Sequence, residues 1–182
     1  MKKNLFLLML FTVSIMLGQS TDKLVSQKTH FKFFSHTVAE DIEANNYKAV
    51  GTLLPDTGDI VFSVPMQSFE FDKAKMQQHY NSPKFLDTKQ FPKSKLKAKI
   101  TNLEAVNFSE NGSYEAIIAG DLTIHGVTNN IEEKATITVK DGQISLTSTF
   151  TLTLADYGIA FADGKPSTNI AKEIEITAVA TY

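Results

Sequence analysis

The sequence contains no cysteine, no tryptophan and no arginine. Without cysteine, disulfides, thiol catalysis and thiolate metal sites are all excluded. Without arginine, the chain lacks the side chain best suited to hold a phosphate or carboxylate through two parallel hydrogen bonds. A P-loop, a dinucleotide-binding fingerprint and a Gly-x-Ser-x-Gly nucleophile motif are also missing. These absences give no positive indication of an enzyme.

The N-terminus has the layout of a secretory signal peptide. Lys2 and Lys3 precede an apolar run over residues 5–17, and small and polar residues follow at 18–20. This run is too short to span a bilayer, so no transmembrane span is expected once the signal is removed. We therefore predict a signal peptide over residues 1–20, a single domain over residues 21–182, and a periplasmic or secreted protein.

The charge balance argues against a nucleic-acid partner. All 18 basic residues are lysine, and two of them belong to the predicted signal peptide. The remaining chain carries 16 positive and 20 negative side chains, a formal net charge of 16 − 20 = −4. An acidic chain has no electrostatic attraction for a phosphate backbone.

Alternation of apolar and polar residues, the period of a half-buried strand, recurs along most of the chain. We predict strands over residues 31–37, 47–54, 59–66, 93–100, 114–125, 131–140, 143–154 and 170–182. Asp141-Gly142 is a strong hairpin signal, whereas residues 126–130 are expected to form a link. Between residues 71 and 91 the pattern changes, and Asp72 is expected to cap a short helix that runs through Tyr80.

Residues 120–128 read GDLTIHGVT, which resembles the G-x-L-T-(L/I)-x-G-V-T signature of the YceI family. Similar motifs flank it in the family's order: SFEF, MQQHY, KFLD and FPKS between residues 68 and 94, and Phe150 with DYGI at 156–159. The resemblance runs from about Phe31 to the C-terminus. It implies an all-β, lipocalin-like antiparallel β-barrel of about eight strands with one short helical insertion.

The resemblance also implies a function. YceI-like proteins are secreted barrels that bind polyisoprenoids and other long amphiphiles, so we expect a polyisoprenoid, quinone or similar small-molecule amphiphile in the barrel, for carriage or sequestration. No other cofactor, no metal and no catalytic residue is expected. The insertion is expected to supply lid or lining residues, His79 a polar group at the mouth, and two strands their inward faces. The predicted ligand-binding residues are Phe69, Phe71, Met76, His79, Tyr80, Phe85, Leu86, Leu122, Ile124 and Phe150.

Two alternatives stay open. A structural or interaction barrel would have a packed core and act through its surface, for instance the lysine face of 93–99 or the loop at 163–166. An enzyme would need His79 or His125 beside an acid inside the cavity. The histidines do not have metal-ligand spacing, and Glu132-Glu133 is interpreted as part of a loop or solvated face. A homodimer is possible but has no specific signature.

Overall fold

The computed structural model describes residues 23–159 and 169–182. The predicted signal peptide and the loop at 163–166 lie outside these residues. The described chain forms ten strands and one α-helix, α1 (Ala74–Asn81). The strands are β1 (Leu24–Val25), β2 (Lys28–His36), β3 (Asp41–Asn46), β4 (Val50–Leu54), β5 (Asp59–Pro65), β6 (Lys93–Ile100), β7 (Gly112–Ile124), β8 (Val127–Lys140), β9 (Gln143–Thr153) and β10 (Glu173–Thr181).

All ten strands belong to one antiparallel sheet in the order β1-β4-β5-β6-β7-β8-β9-β10-β2-β3. The segment that contains β1 and β2 connects two distant parts of this sheet, because β1 pairs with β4 and β2 pairs with β10. Leu24 pairs with Leu53 of β4, whereas Lys28 pairs with Thr181 of β10. The sheet therefore curls around an interior as a half-barrel, and the all-β antiparallel fold expected from the sequence is confirmed.

The strand count differs somewhat from the expected one, and two local predictions were wrong. The sheet has ten strands rather than about eight: β1 is only two residues long, and β3 reads Asp-Ile-Glu-Ala-Asn-Asn, a composition that strands disfavour. The N-cap of α1 is Lys73 and not Asp72, and its side chain makes no cap hydrogen bond. Residues 126–130 are not a link, because β8 begins at Val127 and the turn consists of His125 and Gly126, both with positive φ (51° and 78°).

Inward-facing side chains form two apolar clusters, one toward each end of the strands. We call one the packed end; its most buried large residues are Leu53, Ile60, Ile100, Ile137 and Leu146. The other, which we call the open end, contains Val64, Leu122, Leu152 and the segment around α1. A strand passes from one cluster to the other within four residues, as at Ile60 and Val64.

The outward faces are polar, as the alternation predicts. In β6 the four lysines at 93, 95, 97 and 99 are exposed, while Ser94 and Ile100 are buried and Leu96 and Ala98 partly so. Lys99 lies 3.6 Å from Asp59 of β5. Gly120 of β7 faces β6 so closely that a Cβ atom there would collide with the Lys97 carbonyl oxygen. This glycine lets the two strands approach each other.

Candidate functional site

The open end of the sheet encloses a cavity of about 830 Å³. A volume of this size lies within the range of small-molecule binding sites. Its lining is overwhelmingly apolar and comes from strands on all sides of the sheet and from the segment around α1. All ten residues predicted to bind a ligand line this cavity: Phe69, Phe71, Met76, His79, Tyr80, Phe85, Leu86, Leu122, Ile124 and Phe150. Their contact with a ligand stays a prediction.

Strands β7 and β9 form part of the wall of the cavity and carry three of the predicted ligand-binding residues. In β7, Leu122 and Ile124 point inward because they share the face of buried Ile118. In β9, Phe150 shares the face of Leu146 and Leu152. Small side chains lie between the large ones, since Ser148 and Ala178 also line the cavity. They leave part of the interior unfilled.

Four aromatic rings, the aromatic cluster of Phe33, Phe69, Phe71 and Tyr80, cover the cavity on the side of α1. The ring centroid of Phe33 lies 5.4 Å from that of Phe69, 5.6 Å from that of Phe71 and 5.8 Å from that of Tyr80. The Phe71 and Tyr80 centroids are 5.0 Å apart. Such stacked, edge-on and tilted pairs stabilise one another beyond their area of burial. The cluster therefore packs the insertion against β2 and forms an aromatic roof over the cavity.

Tyr80 carries a polar group into this roof. Its side chain is 5% exposed, and its hydroxyl has no hydrogen-bond partner in the described part of the chain. Burial raises the pKa of the Tyr80 phenol far above its ordinary value. The phenol is thus neutral at physiological pH. Its hydroxyl has lost hydrogen bonds to water without gaining one in the protein, which destabilises the fold.

Charged side chains occur where the cavity opens beside α1. The Lys73 ammonium lies 2.8 Å from a Glu40 carboxylate oxygen, and the Asn169 amide donates to the other oxygen at 3.2 Å. The hydrogen bond from Lys73, and then that from Asn169, lowers the pKa of Glu40. Lys75 and Lys84 also line this opening and are exposed. We call it the helix-side mouth.

Glu133 corrects one prediction. It does not belong to a loop or a solvated face, because it lies in β8 on the inward face between Ile131 and Ala135 and lines the cavity. Its register partner in β7 is buried Ile118. Burial raises the pKa of the Glu133 carboxyl above its ordinary value. The parity of the alternation already placed residue 133 on the buried face, but its charge favoured the opposite interpretation.

The ladder between β8 and β9 ends early. β8 pairs with β7 from Val127 to Val139, but it pairs with β9 only from Lys140↔Gln143 to Thr136↔Thr147. Immediately beyond that last pair, the Ser148 hydroxyl donates to the Lys134 carbonyl at 2.6 Å. Farther along, the Asn129 amide donates to the Asp156 carbonyl at 2.8 Å. We call the gap framed by these two hydrogen bonds the β8–β9 window.

A second cavity of about 410 Å³ lies in this window. Five of its lining residues also line the large cavity, so the two spaces adjoin. These shared residues are Leu122, Ile131, Glu133, Phe150 and Leu152. On the other side the second cavity is lined by the exposed residues Asn130, Thr151 and Asp156. The second cavity therefore lies between the apolar lining that it shares with the large cavity and the surface.

The histidines have separate surroundings. His79 is exposed on α1 at the helix-side mouth, and no hydrogen bond joins it to a carboxylate among the described residues. His125 lies in the β7–β8 turn, where its Nδ1 is 3.3 Å from the Tyr157 carbonyl oxygen and its ring contacts Phe91 edge-on. His30 and His36 contact Asn45 and Asp41. Residues 23–159 and 169–182 contain no group of three side chains able to hold a metal ion.

Sequence reasoning missed several lining residues. Phe31 and Phe33 of β2 and Phe62 and Val64 of β5 line the cavity, although they are not among the predicted ligand-binding residues. The signal for β5 was present, because Ile60, Phe62 and Val64 alternate with outward residues. What the alternation does not reveal is where along a strand the filled interior gives way to an open one.

No helix in residues 23–159 and 169–182 is long and apolar enough to cross a membrane.

Comparisons with known proteins agree on one family. The model of the YceI-like domain matches residues 20–182. A protein of Pseudomonas putida designated UPF0312 is 28% identical over 152 residues, which cover 80% of this chain and 74% of the relative. A similar protein of Shewanella denitrificans is 25% identical over 129 residues, covering 67% of this chain and 63% of the relative.

Solved structures share the fold. A polyisoprenoid binding domain from Saccharophagus degradans, implicated in plant cell wall breakdown, has a TM-score of 0.73 at 10% identity and covers 87% of this chain and 96% of its own. BcnA of Burkholderia cenocepacia has a TM-score of 0.69 at 14% identity, with 85% and 96% covered. At these identities the likeness shows the fold alone.

Proposed function

The chain belongs to the YceI-like domain family, and on that basis we propose that it is a binding protein that holds a polyisoprenoid, a quinone or a similar long-chain amphiphile for carriage or sequestration. The observation that carries the proposal is the apolar cavity of about 830 Å³ at the open end. An elongated hydrocarbon is the ligand that suits such a lining, because each buried methylene contributes about 0.8 kcal/mol without any specific contact.

The cavity also supports this function over that of a surface-interaction barrel. That alternative requires an interior filled by its own side chains, whereas half-buried apolar residues such as Ile124, Phe150 and Ile176 border open space. The likeness to a polyisoprenoid binding domain supports the same choice of ligand class. The absence of catalysis and the formation of a homodimer stay predictions.

A binding titration tests the proposal. A fluorescent fatty-acid probe would be displaced by a polyprenol, a quinone or hexadecanol from the purified protein. Phe150→Asp places a carboxylate in the cavity wall and should weaken binding at least about a hundredfold, since a charge in an apolar site is costly. Thr149→Asp is the matched control, because residue 149 is exposed on the outward face of the same strand. Failure of the wild-type protein to bind any of these chains would refute the proposal.

We also propose that the protein is periplasmic or secreted. The support is the sequence of residues 1–20, whose lysine pair, apolar run and small polar end are typical of a cleaved signal. N-terminal sequencing of the protein from fractionated cells tests this. A mature N-terminus near residue 21 outside the cytoplasm is expected, and an intact Met1 in the cytoplasmic fraction would contradict it.

A further inference from the structure

Among the described residues, polar and charged side chains border the two cavities at two places, and these places differ in chemistry. The helix-side mouth carries Lys73, Lys75 and Lys84, of which Lys73 is held by Glu40. No lysine lines the second cavity in the β8–β9 window, where the carboxyl-bearing residues of the described chain are Glu133 and Asp156. The two openings therefore favour different polar groups, a negative one at the mouth and an uncharged or positive one at the window.

The window is a built feature of the sheet. If the ladder of β8 and β9 continued in register beyond Thr136↔Thr147, Glu133 would face Phe150 and Ile131 would face Leu152. Instead, the Ser148 hydroxyl donates a hydrogen bond to the Lys134 carbonyl. Beyond it, β8 and β9 form no ladder pairs as far as the hydrogen bond from the Asn129 amide to the Asp156 carbonyl. A side-chain to backbone hydrogen bond thus closes each end of the gap, and the ladder pairing is missing only between these two bonds.

The residues around the gap are arranged from apolar to polar. Leu122, Phe150 and Leu152 lie on its inner side, Glu133 stands where the two cavities adjoin, and Asn130 and Thr151 lie on its outer rim. A chain that lies along the large cavity would leave the apolar surface at Phe150 and meet the Glu133 carboxyl next. Amide, hydroxyl and carboxyl groups at the rim can donate to and accept from an alcohol or an amide.

We propose that the β8–β9 window is a second binding subsite, which takes the uncharged, hydrogen-bonding end of a long-chain amphiphile and admits its polar end to solvent. This inference rests on the proposed function, because it assigns an orientation to the ligand that the large cavity would hold. A carboxylate in the wall disfavours a phosphate or carboxylate end at the window through like-charge repulsion. The subsite thereby selects alcohols and related neutral ends.

The absence of cysteine makes the orientation directly measurable. A single cysteine would be introduced by Thr151→Cys at the window, by Lys84→Cys at the helix-side mouth, or by Thr147→Cys as the matched control. Residue 147 is exposed on the same face of β9 as residue 151, but it lies where β9 is paired with β8. Each variant would react with N-hexadecylmaleimide, whose reactive group is its polar end, below the micellar concentration. The rate with N-ethylmaleimide corrects for the intrinsic reactivity of each thiol.

The chain-length effect is the readout. The ratio of the hexadecyl to the ethyl rate should be at least about tenfold higher for the Thr151→Cys variant than for the Thr147→Cys variant, because bound chains present the maleimide at high effective concentration. Equal ratios at 151 and 147, or an enhancement confined to the Lys84→Cys variant, would overturn the window proposal.

The charge of Glu133 provides a second test. Wild-type protein should bind hexadecanol more tightly than hexadecanoate at mildly alkaline pH. Glu133→Gln should raise the affinity for hexadecanoate, relative to the affinity for hexadecanol, by roughly fivefold or more. Glu132→Gln is the control, since Glu132 precedes it on the outward face and is exposed. Equal effects of the two substitutions, or no effect of Glu133→Gln, would contradict the proposed selection.

These outcomes separate the two proposals. A protein that binds none of the chains in the displacement titration fails as an amphiphile carrier, and the question of orientation does not arise. A protein that binds hexadecanol but shows no enhancement at residue 151 keeps the proposed function and loses the window subsite.

Discussion

The packed end and the open end are built from the same strands, yet only one of them is filled. At the packed end, Leu53, Ile60 and Ile137 are 0% exposed. At the open end, Phe150, Ile124 and Ile176 remain half-buried and border the large cavity. Similar apolar side chains therefore serve two purposes. Where they interdigitate they stabilise the fold, and where they line an unfilled space they leave apolar surface for a ligand to cover.

The largest effect is expected at the packed end. Ile137→Ala removes a fully buried side chain that does not line the cavity. It should lower the free energy of unfolding by about 3 kcal/mol, because the transfer energy is lost and a void remains. Urea denaturation measures the change. A cost below about 1 kcal/mol would mean that the packed end is less well filled than described.

A truncation at the open end should weaken ligand binding more than it lowers the stability of the fold. Phe150→Ala widens a space that already exists, so its stability cost should be less than half that of Ile137→Ala. Its effect on binding should be larger, with the affinity for hexadecanol roughly tenfold weaker because a contact surface is lost. Denaturation and displacement titration on the same preparations give both numbers. Equal stability costs for the two variants would remove the distinction between the two ends.

A pair of tyrosines sharpens the comparison. Tyr80 at the open end and Tyr182 at the packed end each bury a hydroxyl with no hydrogen-bond partner in the described residues. Tyr80→Phe and Tyr182→Phe should each raise the stability of the ligand-free protein by about 1 kcal/mol, since an unsatisfied buried group is removed. Only Tyr80→Phe should alter the affinity for an alcohol. A loss of stability in either variant would show that its hydroxyl has a partner.

The same tyrosines predict a dependence on alkaline pH. Burial raises the pKa of both phenols in the folded protein, whereas in the unfolded chain they titrate near the ordinary value of about 10. Stability from the neutral phenols is fully present below that value and is lost as pH rises above it, because the unfolded state then releases protons that the folded state keeps. The double variant with both phenylalanines should show a flatter alkaline limb in denaturation experiments. An unchanged limb would contradict the assigned burial.

The smallest effect concerns the charge at the open end. Burial raises the pKa of the Glu133 carboxyl in the folded state. As pH rises above the ordinary pKa of a glutamate, the unfolded chain loses this proton first, and ionisation therefore opposes folding. Glu133→Gln should therefore stabilise the protein slightly at neutral pH, and the gain should vanish below the ordinary pKa of a glutamate. Glu132→Gln should show no such dependence. A constant gain at all pH values would mean that the amide acts by packing rather than by charge.

Much of this architecture could be predicted from the sequence. Period-two alternation predicted the inward faces of β6, β7 and β9, including Leu122, Ile124 and Phe150. The family resemblance predicted the insertion with Phe69, Tyr80 and Leu86. The sequence did not predict β3, because aspartate, glutamate and asparagine are poor strand formers. Its place in the sheet comes from pairing with β2, a tertiary effect that local composition does not carry.

The cavity and the window could not be predicted in the same way. Cavity volume depends on the curl of the sheet and on side-chain orientation, and both are decided by contacts between distant segments. The window depends on where one ladder ends, which the Ser148 hydroxyl helps to set through a contact with Lys134. Glu133 shows the weakness of judging a position by its charge alone, since the parity of the strand was the better guide.

The central claim is that the open end holds an amphiphile, and mass spectrometry of an organic extract tests it most directly. The protein purified without added lipid is compared with the Phe150→Asp variant, after circular dichroism has shown that the variant is folded. The account predicts a long-chain amphiphile in near-stoichiometric amount in the wild-type extract and its loss in the variant. A wild-type extract that is empty, and stays empty after incubation with polyprenols and quinones, would contradict the claim.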